Sequence, residues 1–227
     1  MGDVTSLLDR KVYGMAQVDR LLGLRSGTAR RWIDGYARGK TYRPVVRRES
    51  TGDDVVTWGE FVETRLLAEF RSAQVPMIRL RPAVTRLREE FGDYPLARAQ
   101  PFVAGRELVR AVQEEVKLDR HLRLVVVRSD QLMLTDPARQ FYGSVDFDDT
   151  GVAQRVRPLG DEPSVVIDPI RGFGEPVVRN VRTEVIAELR RAGESVRMIG
   201  ETYELSIAQV DAALRYELVR SGAGEAA

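Results

Sequence analysis

Between Arg20 and Arg48 the chain sets nine basic side chains, Arg20, Arg25, Arg30, Arg31, Arg38, Lys40, Arg43, Arg47 and Arg48, against one acid, Asp34. The chemistry such a density offers is phosphate recognition. Each phosphate neutralised releases condensed counterions, which makes duplex nucleic acid a natural ligand. A solvated basic face is the alternative that charge alone leaves open. Bond-making chemistry has little to work with. The 227 residues hold no cysteine and a single histidine, His121, so thiolate zinc sites, cysteine nucleophiles and multi-histidine metal centres are excluded within one chain. No Gly-rich phosphate loop is present, and Asp146, Asp148 and Asp149 lack the glycine and glutamate of a calcium loop and read as a solvated turn. The expectation is a protein that is not an enzyme and needs no cofactor or metal.

With 43% hydrophobic and 30% charged residues the chain should fold, and its net charge of +1 conceals a gradient. Residues 1–130 carry 24 Lys and Arg against 18 Asp and Glu, whereas 131–227 carry 11 against 16. No apolar run reaches the roughly 18 residues of a membrane span, and Met-Gly-Asp-Val does not open a secretory signal. A cytoplasmic protein with no membrane partner is expected.

The elements that must position the basic residues are short. Met15, Val18, Leu21 and Leu22 recur at helical spacing and predict a helix stopping at Gly23. Ser26 is placed as the N-cap of a second helix whose buried face is Ala29, Trp32, Ile33 and Tyr36. Two such helices joined by a Gly-containing turn make a helix-turn-helix, in which the second helix presents Gly27, Thr28, Arg31 and Asp34, with Arg30 at the edge. The N-terminal part of such a helix reads bases and grips phosphates, so Arg25, Ser26, Thr28, Arg30 and Arg31 are the candidate DNA-binding residues. Beyond Gly39, the β-rich runs Tyr42–Arg47 and Asp54–Trp58 predict a hairpin across Glu-Ser-Thr-Gly-Asp. It would serve as a wing on which Arg43, Arg47 and Arg48 hold flanking phosphates. Trp32, Trp58 and Tyr36 are read as core.

Residues 13–91 resemble a winged-helix domain of the MerR type. The resemblance rests on Tyr13, Val18, Leu21-Leu22-Gly23-Leu24, Thr28 and Arg31-Trp32, then a hairpin, an apolar helix, Met77-Ile78-Arg79-Leu80-Arg81-Pro82 and Leu87-Arg88-Glu89-Glu90-Phe91. It departs from that family in lacking an evident coiled-coil dimerisation helix and effector domain, and Pro82 would interrupt a long helix there.

Between Phe102 and Gly151 the pattern is a helix through Leu108, Val109, Val112 and Val116, then β-rich runs at Leu122–Arg128, Gln131–Thr135 and Gly143–Phe147. From Val165 the chain reads strand, Gly/Pro turn, strand. Three helices follow: one through Val185, Ile186, Leu189 and Ala192, one starting near Ser195 with Val196, Ile199 and Tyr203, and one opened by a Ser206-x-x-Gln209 capping box. From Glu184 to Glu217 seven acids stand against four arginines, a surface that phosphates repel and that suits a protein partner. The end, Ser221–Ala227, is read as a frayed tail.

This C-terminal stretch is similar to a small bacterial domain of unknown function found in antitoxins, on Asp168-Pro169, Gly174-x-Pro176-Val177-Val178-Arg179-x-Val181-Arg182-Thr183, Ala192-Gly193-Glu194-Ser195 and Tyr203-x-Leu205-Ser206 through Val210, Ala213-Leu214 and Tyr216. Asn180 replaces the family's usual glycine, and asparagine should carry a positive φ there. Together the two ends resemble an atypical VapB-type antitoxin. The resemblance implies an autorepressor that binds operator DNA as a homodimer and silences a VapC toxin, a PIN-domain ribonuclease using acidic residues and magnesium. It also implies inhibition through an arginine that pairs with the toxin's carboxylates, for which Arg171, Arg179 and Arg182 are the candidates. The alternative is a stand-alone DNA-binding regulator with a C-terminal ligand- or protein-binding domain. The expected fold class is α+β, organised as a winged helix-turn-helix over 10–92, a small β-containing middle region over 93–160, a β-hairpin with three helices over 161–220, and a tail.

Overall fold

The computed structural model describes residues 6–70, 76–129, 131–160, 162 and 164–225; the side chains of Arg38, Lys40 and 222–225 lie outside the described set, as do residues 226–227 of the expected tail. The fold is α+β, with nine helices and small antiparallel sheets among the described residues. The chain divides into two units, 1–143 with 147–153, and 144–146 with 154–227. Residues 93–160, grouped by the sequence as a middle region, are shared between the two.

In the first unit β1 (Lys11–Gly14) leads directly into α1 (Met15–Leu21), which ends at Gly23 with φ 58°. After α2 (Thr28–Ile33) come a tight hairpin, β2 (Tyr36–Arg38) with β3 (Lys40–Tyr42), and β4 (Val55–Thr57), which pairs antiparallel with β1. The expected hairpin of 42–47 with 54–58 is therefore corrected. Gly35 (φ 78°) lies against the Tyr42 carbonyl, where a side chain has no room, and Gly39 (φ 69°) reverses the chain ten residues before the turn expected to open at Glu49. Tyr36 accordingly belongs to β2 and not to the second helix.

The core of this unit is built on α3 (Trp58–Glu69). Thr57 and Glu60 form a reciprocal capping box at its start. Trp58, Phe61 and Tyr13 cluster with centroids 4.6–6.4 Å apart, and the buried indole N–H donates to the Ala153 carbonyl at 2.7 Å. Pro82 does not interrupt a helix but sits in the first turn of α4 (Arg81–Phe91), where its missing N–H costs nothing. Next come α5 (Arg106–Glu115), β5 (Val125–Arg128), β6 (Gln131–Leu134) and α6 (Asp136–Gly143), the last absent from the sequence reading. Gln113 fastens α5 to this hairpin, donating to the Val125 carbonyl and accepting from the Leu124 and Val125 amides.

β7 (Val145–Phe147) and β8 (Ala153–Val156) form the ribbon at which the units divide. The second unit is a three-stranded meander, β9 (Val165–Val166), β10 (Val177–Val178) and β11 (Val181–Arg182), followed by α7 (Thr183–Arg191), α8 (Val196–Tyr203) and α9 (Ile207–Glu225). Val165, Val178, Ile186, Ile199, Val210 and Ala213 are its core. Ser195 caps α8, and Ser206 and Gln209 cap each other's amides at 3.2 and 2.9 Å, as the sequence predicts. Glu217, counted among the surface acids, is buried: it accepts from the Thr183 hydroxyl at 2.5 Å and pairs with Arg220, tying α9 to the start of α7. α9 runs through the expected tail as far as Glu225.

One buried pair makes the first unit sensitive to pH. Glu63 on α3 is 1% exposed; it accepts from the Leu96 amide at 3.1 Å and lies 3.7 Å from Arg88, which donates to the Val46 carbonyl at 2.5 Å. Burial pushes its carboxyl from the ordinary 4.5 up to about 7, against the pull of Arg88. A carboxyl whose folded pKa exceeds its unfolded value binds more protons when folded, so stability falls as pH rises from about 4.5 to 7. Urea unfolding measured across this range should show a loss of up to about 3 kcal/mol, at 1.4 kcal/mol per pKa unit, and a clearly shallower slope in Glu63→Gln. An identical slope in the variant would assign the effect to another group.

Candidate nucleic-acid interface

A six-residue helix such as α2 is too short to hold itself in water. Its N-terminus is held by Asp19, a buried residue of α1 whose Oδ2 accepts from the Gly27 amide and Oδ1 from the Ala29 amide, both at 2.7 Å. The N-cap position is Gly27 in the left-handed region (φ 78°), so the expected capping role of Ser26 is corrected: the capping oxygens arrive from eight and ten residues upstream. Burial raises the Asp19 pKa, although the two amides favour the carboxylate. This arrangement leaves Arg25, Ser26 and Gly27 exposed at the mouth of the turn.

The C-terminal end of α2 is held by a second carboxylate. Asp34 accepts from the amides of Thr51 and Gly52, the hydroxyls of Ser50 and Thr51, and Arg47. Burial alone would raise its pKa, but these donors outweigh that and hold it at about 2. Arg47 is the centre of the network, bonded to Asp34 at 2.8 Å, to Glu60 at 2.7 Å and to the carbonyls of Asp53 and Val55, with its side chain 9% exposed. Arg47 therefore does not fit the phosphate-binding role expected of it. Every face of its guanidinium is engaged inside the protein.

The remaining candidates separate by exposure. Arg31 is exposed on α2, its guanidinium folded over the helix start onto the Gly27 carbonyl (3.1 Å) and the Thr28 hydroxyl (3.0 Å). Thr28 is largely buried, its hydroxyl engaged by Arg31, although its side chain lines the cleft described below. Arg30 is half-buried and pairs with Asp54; Arg48 is exposed and pairs with Asp93 at 2.7 Å. Exposed pairs of this kind are weak, and a phosphate can compete for either arginine. Arg43 is exposed just past the β2–β3 hairpin. It lines, with Arg31, Trp32, Tyr36 and Met77, a cleft of about 300 Å³ between α2 and the hairpin.

Sequence reasoning missed the feature on the far wall of that cleft. Tyr36 and Tyr42 stack across the hairpin, rings 4.4 Å apart and 10° from parallel, 41% and 37% exposed. Helical spacing from Ala29 had placed Tyr36 in the core, and only the break at Gly35 could have signalled otherwise.

In the second unit, Arg171 is exposed and lies 3.7 Å from Asp168, and Arg182 is exposed immediately before α7. Arg179 takes the positive φ (54°) expected of Asn180 and donates to the Glu204 carbonyl at 2.7 Å, bracing the turn between α8 and α9. Among the described residues no group of three or more His, Cys, Asp or Glu could hold a metal, and no helix is long and apolar enough to cross a membrane.

Comparison with known proteins gives this geometry a family. A model described as "Putative DNA-binding HTH domain" matches residues 11–84, and one described as "Protein of unknown function (DUF433)" matches residues 165–216. The "Uncharacterized protein Rv2308" of Mycobacterium tuberculosis is 40% identical over 225 residues, covering 94% of this chain and 92% of that protein. The chain belongs to the family of Rv2308. A second relative of the Rv2308 family chain, "Putative antitoxin VapB45" of the same organism, is 28% identical over 223 residues, covering 91% of this chain and 93% of that protein. The crystal structure of Rv2018 from Mycobacterium tuberculosis matches with a TM-score of 0.76 at 26% identity, covering 92% of this chain and all of that one. The first unit of this Rv2308 family member thus carries a DNA-binding helix-turn-helix domain.

Three substitutions separate the scaffold from the reading surface. Asp19→Ala should lower stability by about 1–2 kcal/mol in urea unfolding, the cost of an N-terminal cap. Arg47→Ala should cost about 3–5 kcal/mol, because it strands two buried carboxylates, whereas Arg43→Ala should stay within about 0.5 kcal/mol of the parent. An Arg47→Ala protein as stable as the parent would return Arg47 to the set of free cations.

Proposed function

We propose that the protein is an antitoxin and autorepressor: the first unit binds operator DNA, and the second binds and silences a PIN-domain ribonuclease of the VapC type. The observation that carries the reading is a helix-turn-helix with exposed arginines on a chain that aligns over nine-tenths of its length with a protein named as an antitoxin. In this reading α2 enters the major groove with Arg25, Ser26 and Arg31 leading, and the β2–β3 hairpin is the wing of a MerR-like domain, its flank set by Arg43. Arg30 and Arg48 exchange their carboxylate partners for phosphates. One helix-turn-helix reads a half-site, so a homodimer spans two sites about 34–36 Å apart. Toward the toxin, Arg171 and Arg182 are the cations offered to its carboxylates, Arg179 being engaged with Glu204. The protein itself performs no catalysis.

The test is co-purification of the neighbouring gene product together with binding to the protein's own promoter across a salt series. Replacing Arg31 or Arg43 by alanine should weaken promoter binding and flatten the slope of log K against log salt by about one unit each. Replacing Arg171 and Arg182 together should abolish toxin inhibition, and replacing Arg182 alone should weaken it while leaving promoter binding intact. A promoter complex with no co-purifying ribonuclease would make the protein a stand-alone regulator instead.

A further inference from the structure

The least protected apolar side chain of the second unit stands on its most constrained loop. Between β9 and β10, Gly172, Phe173 and Gly174 take consecutive positive φ values of 56°, 57° and 77°, and Phe173 is 89% exposed, with Ile170 beside it 62% exposed. A bare loop would relax from such a conformation; this one is held. Asp168, itself buried, accepts the Ile170 amide at 2.8 Å, and successive turns close through Arg171, Gly174 and Glu175. A Cβ at Gly172 would come within 2.6 Å of Val177, so the backbone there is pressed onto the sheet. A left-handed aromatic fixed in place with its ring in water pays strain for no internal contact, as residues at binding sites do. Rigid aromatics with a neighbouring arginine are the usual anchors of protein interfaces.

A complementary surface lies on the same unit. Between α8 and α9 a notch of about 520 Å³ is floored by Gly200, Leu205 and Ile207 and bordered by Glu201 and Glu204. Ile207 is 61% exposed, and the Glu201 carboxylate is bonded to Arg197. The notch offers an apolar floor, the Glu204 carboxylate and a Glu201 carboxylate already paired with Arg197, which also lines it; the knuckle offers two apolar side chains and the Arg171 cation. Every large apolar residue at least 60% exposed among the described residues, Leu218 and Val219 included, belongs to this unit.

We propose that the Ile170–Phe173 knuckle of one copy seats in the α8–α9 notch of a second copy, with Arg171 facing Glu204. Related by a two-fold axis, the two copies make the contact twice, knuckle to notch and notch to knuckle. The proposal rests on the homodimer of the preceding section and names the surface that forms it. Arg171 is then occupied within the dimer, and Arg182 is the cation left for a toxin.

The experiment is sedimentation of the full chain over a concentration series with Phe173→Ser, Arg171→Glu and Glu204→Arg. Phe173 is exposed, so its replacement should leave the fold intact and raise the dimer dissociation constant at least tenfold. Arg171→Glu and Glu204→Arg should each dimerise poorly alone. Mixed, they should form a heterodimer of near-parental affinity, since each copy then meets an opposite charge at both contacts. A parental protein that dimerises while Phe173→Ser dimerises equally well and the mixed pair is not rescued would overturn this interface and leave the homodimer standing. A chain that remains monomeric on operator-length DNA would overturn both, and loss of ribonuclease capture by Phe173→Ser in such a monomer would assign the knuckle to the toxin.

Discussion

The reading surface of the first unit depends on two buried carboxylates. The six residues of α2 cannot sustain a helix by propensity, and its sequence, Thr-Ala-Arg-Arg-Trp-Ile, has no local capping side chain in use. Asp19 supplies the missing acceptors at one end; at the other, Asp34 and Arg47 bind the chain that leaves the helix to the start of α3 through Glu60. Glu60 also completes the cap of α3, so one side chain couples the orientation of two helices. The exposed arginines point outward because these internal charges are matched inside.

This explains how a strongly basic segment can be both scaffold and ligand site. Of the nine cations between Arg20 and Arg48, Arg47 is spent on internal carboxylates, and Arg30 and Arg48 are held loosely by surface acids. Arg31 is oriented by its own helix start. Charge density alone overstates the number of phosphates the surface can grip, because a buried arginine with two carboxylate partners is electrically absent from the outside. The counterion slope measured on DNA reads the exposed subset only.

What the sequence revealed, and what it hid, follows the range of the interactions. The helices of the second unit were legible because their start signals are local: Ser195 reaches Met198, and Ser206 and Gln209 reach each other within one turn. The pair α1 and α2 was legible from apolar spacing. Asp19 was not, since its partners lie eight and ten residues away and an aspartate on a helix flank looks solvated until the turn folds over it. Arg47 was misjudged for the same reason in reverse. The hairpin was displaced by a dozen residues because Val45, Val46, Val55 and Val56 have the composition of strands. Only Val55 and Val56 find a strand partner, in β1, while the Val45 and Val46 amides donate to the carbonyl of Trp32. The Tyr36–Tyr42 stack and the Phe173 knuckle were beyond reach, since a periodicity argument assigns every aromatic to the core.

The two units of one chain need not behave alike. In the second, caps are made by neighbouring serines, and the core of Val165, Val178, Ile186 and Val210 needs no charge at all. The link of α7 to α9, the Thr183–Glu217–Arg220 chain, adds a polar contact to helices that are already packed. In the first, the reading helix is held at its start by Asp19 of α1 and at its end by the Asp34–Arg47 pair. Presentation of α2 is therefore a tertiary property, set by α1, the 43–54 segment and α3 together, and it responds to anything that moves Arg47 or Arg88, both of which hold that segment. The helix-turn-helix geometry thus rests on side chains distant in sequence, whereas the second unit is capped by residues within one turn of each helix start.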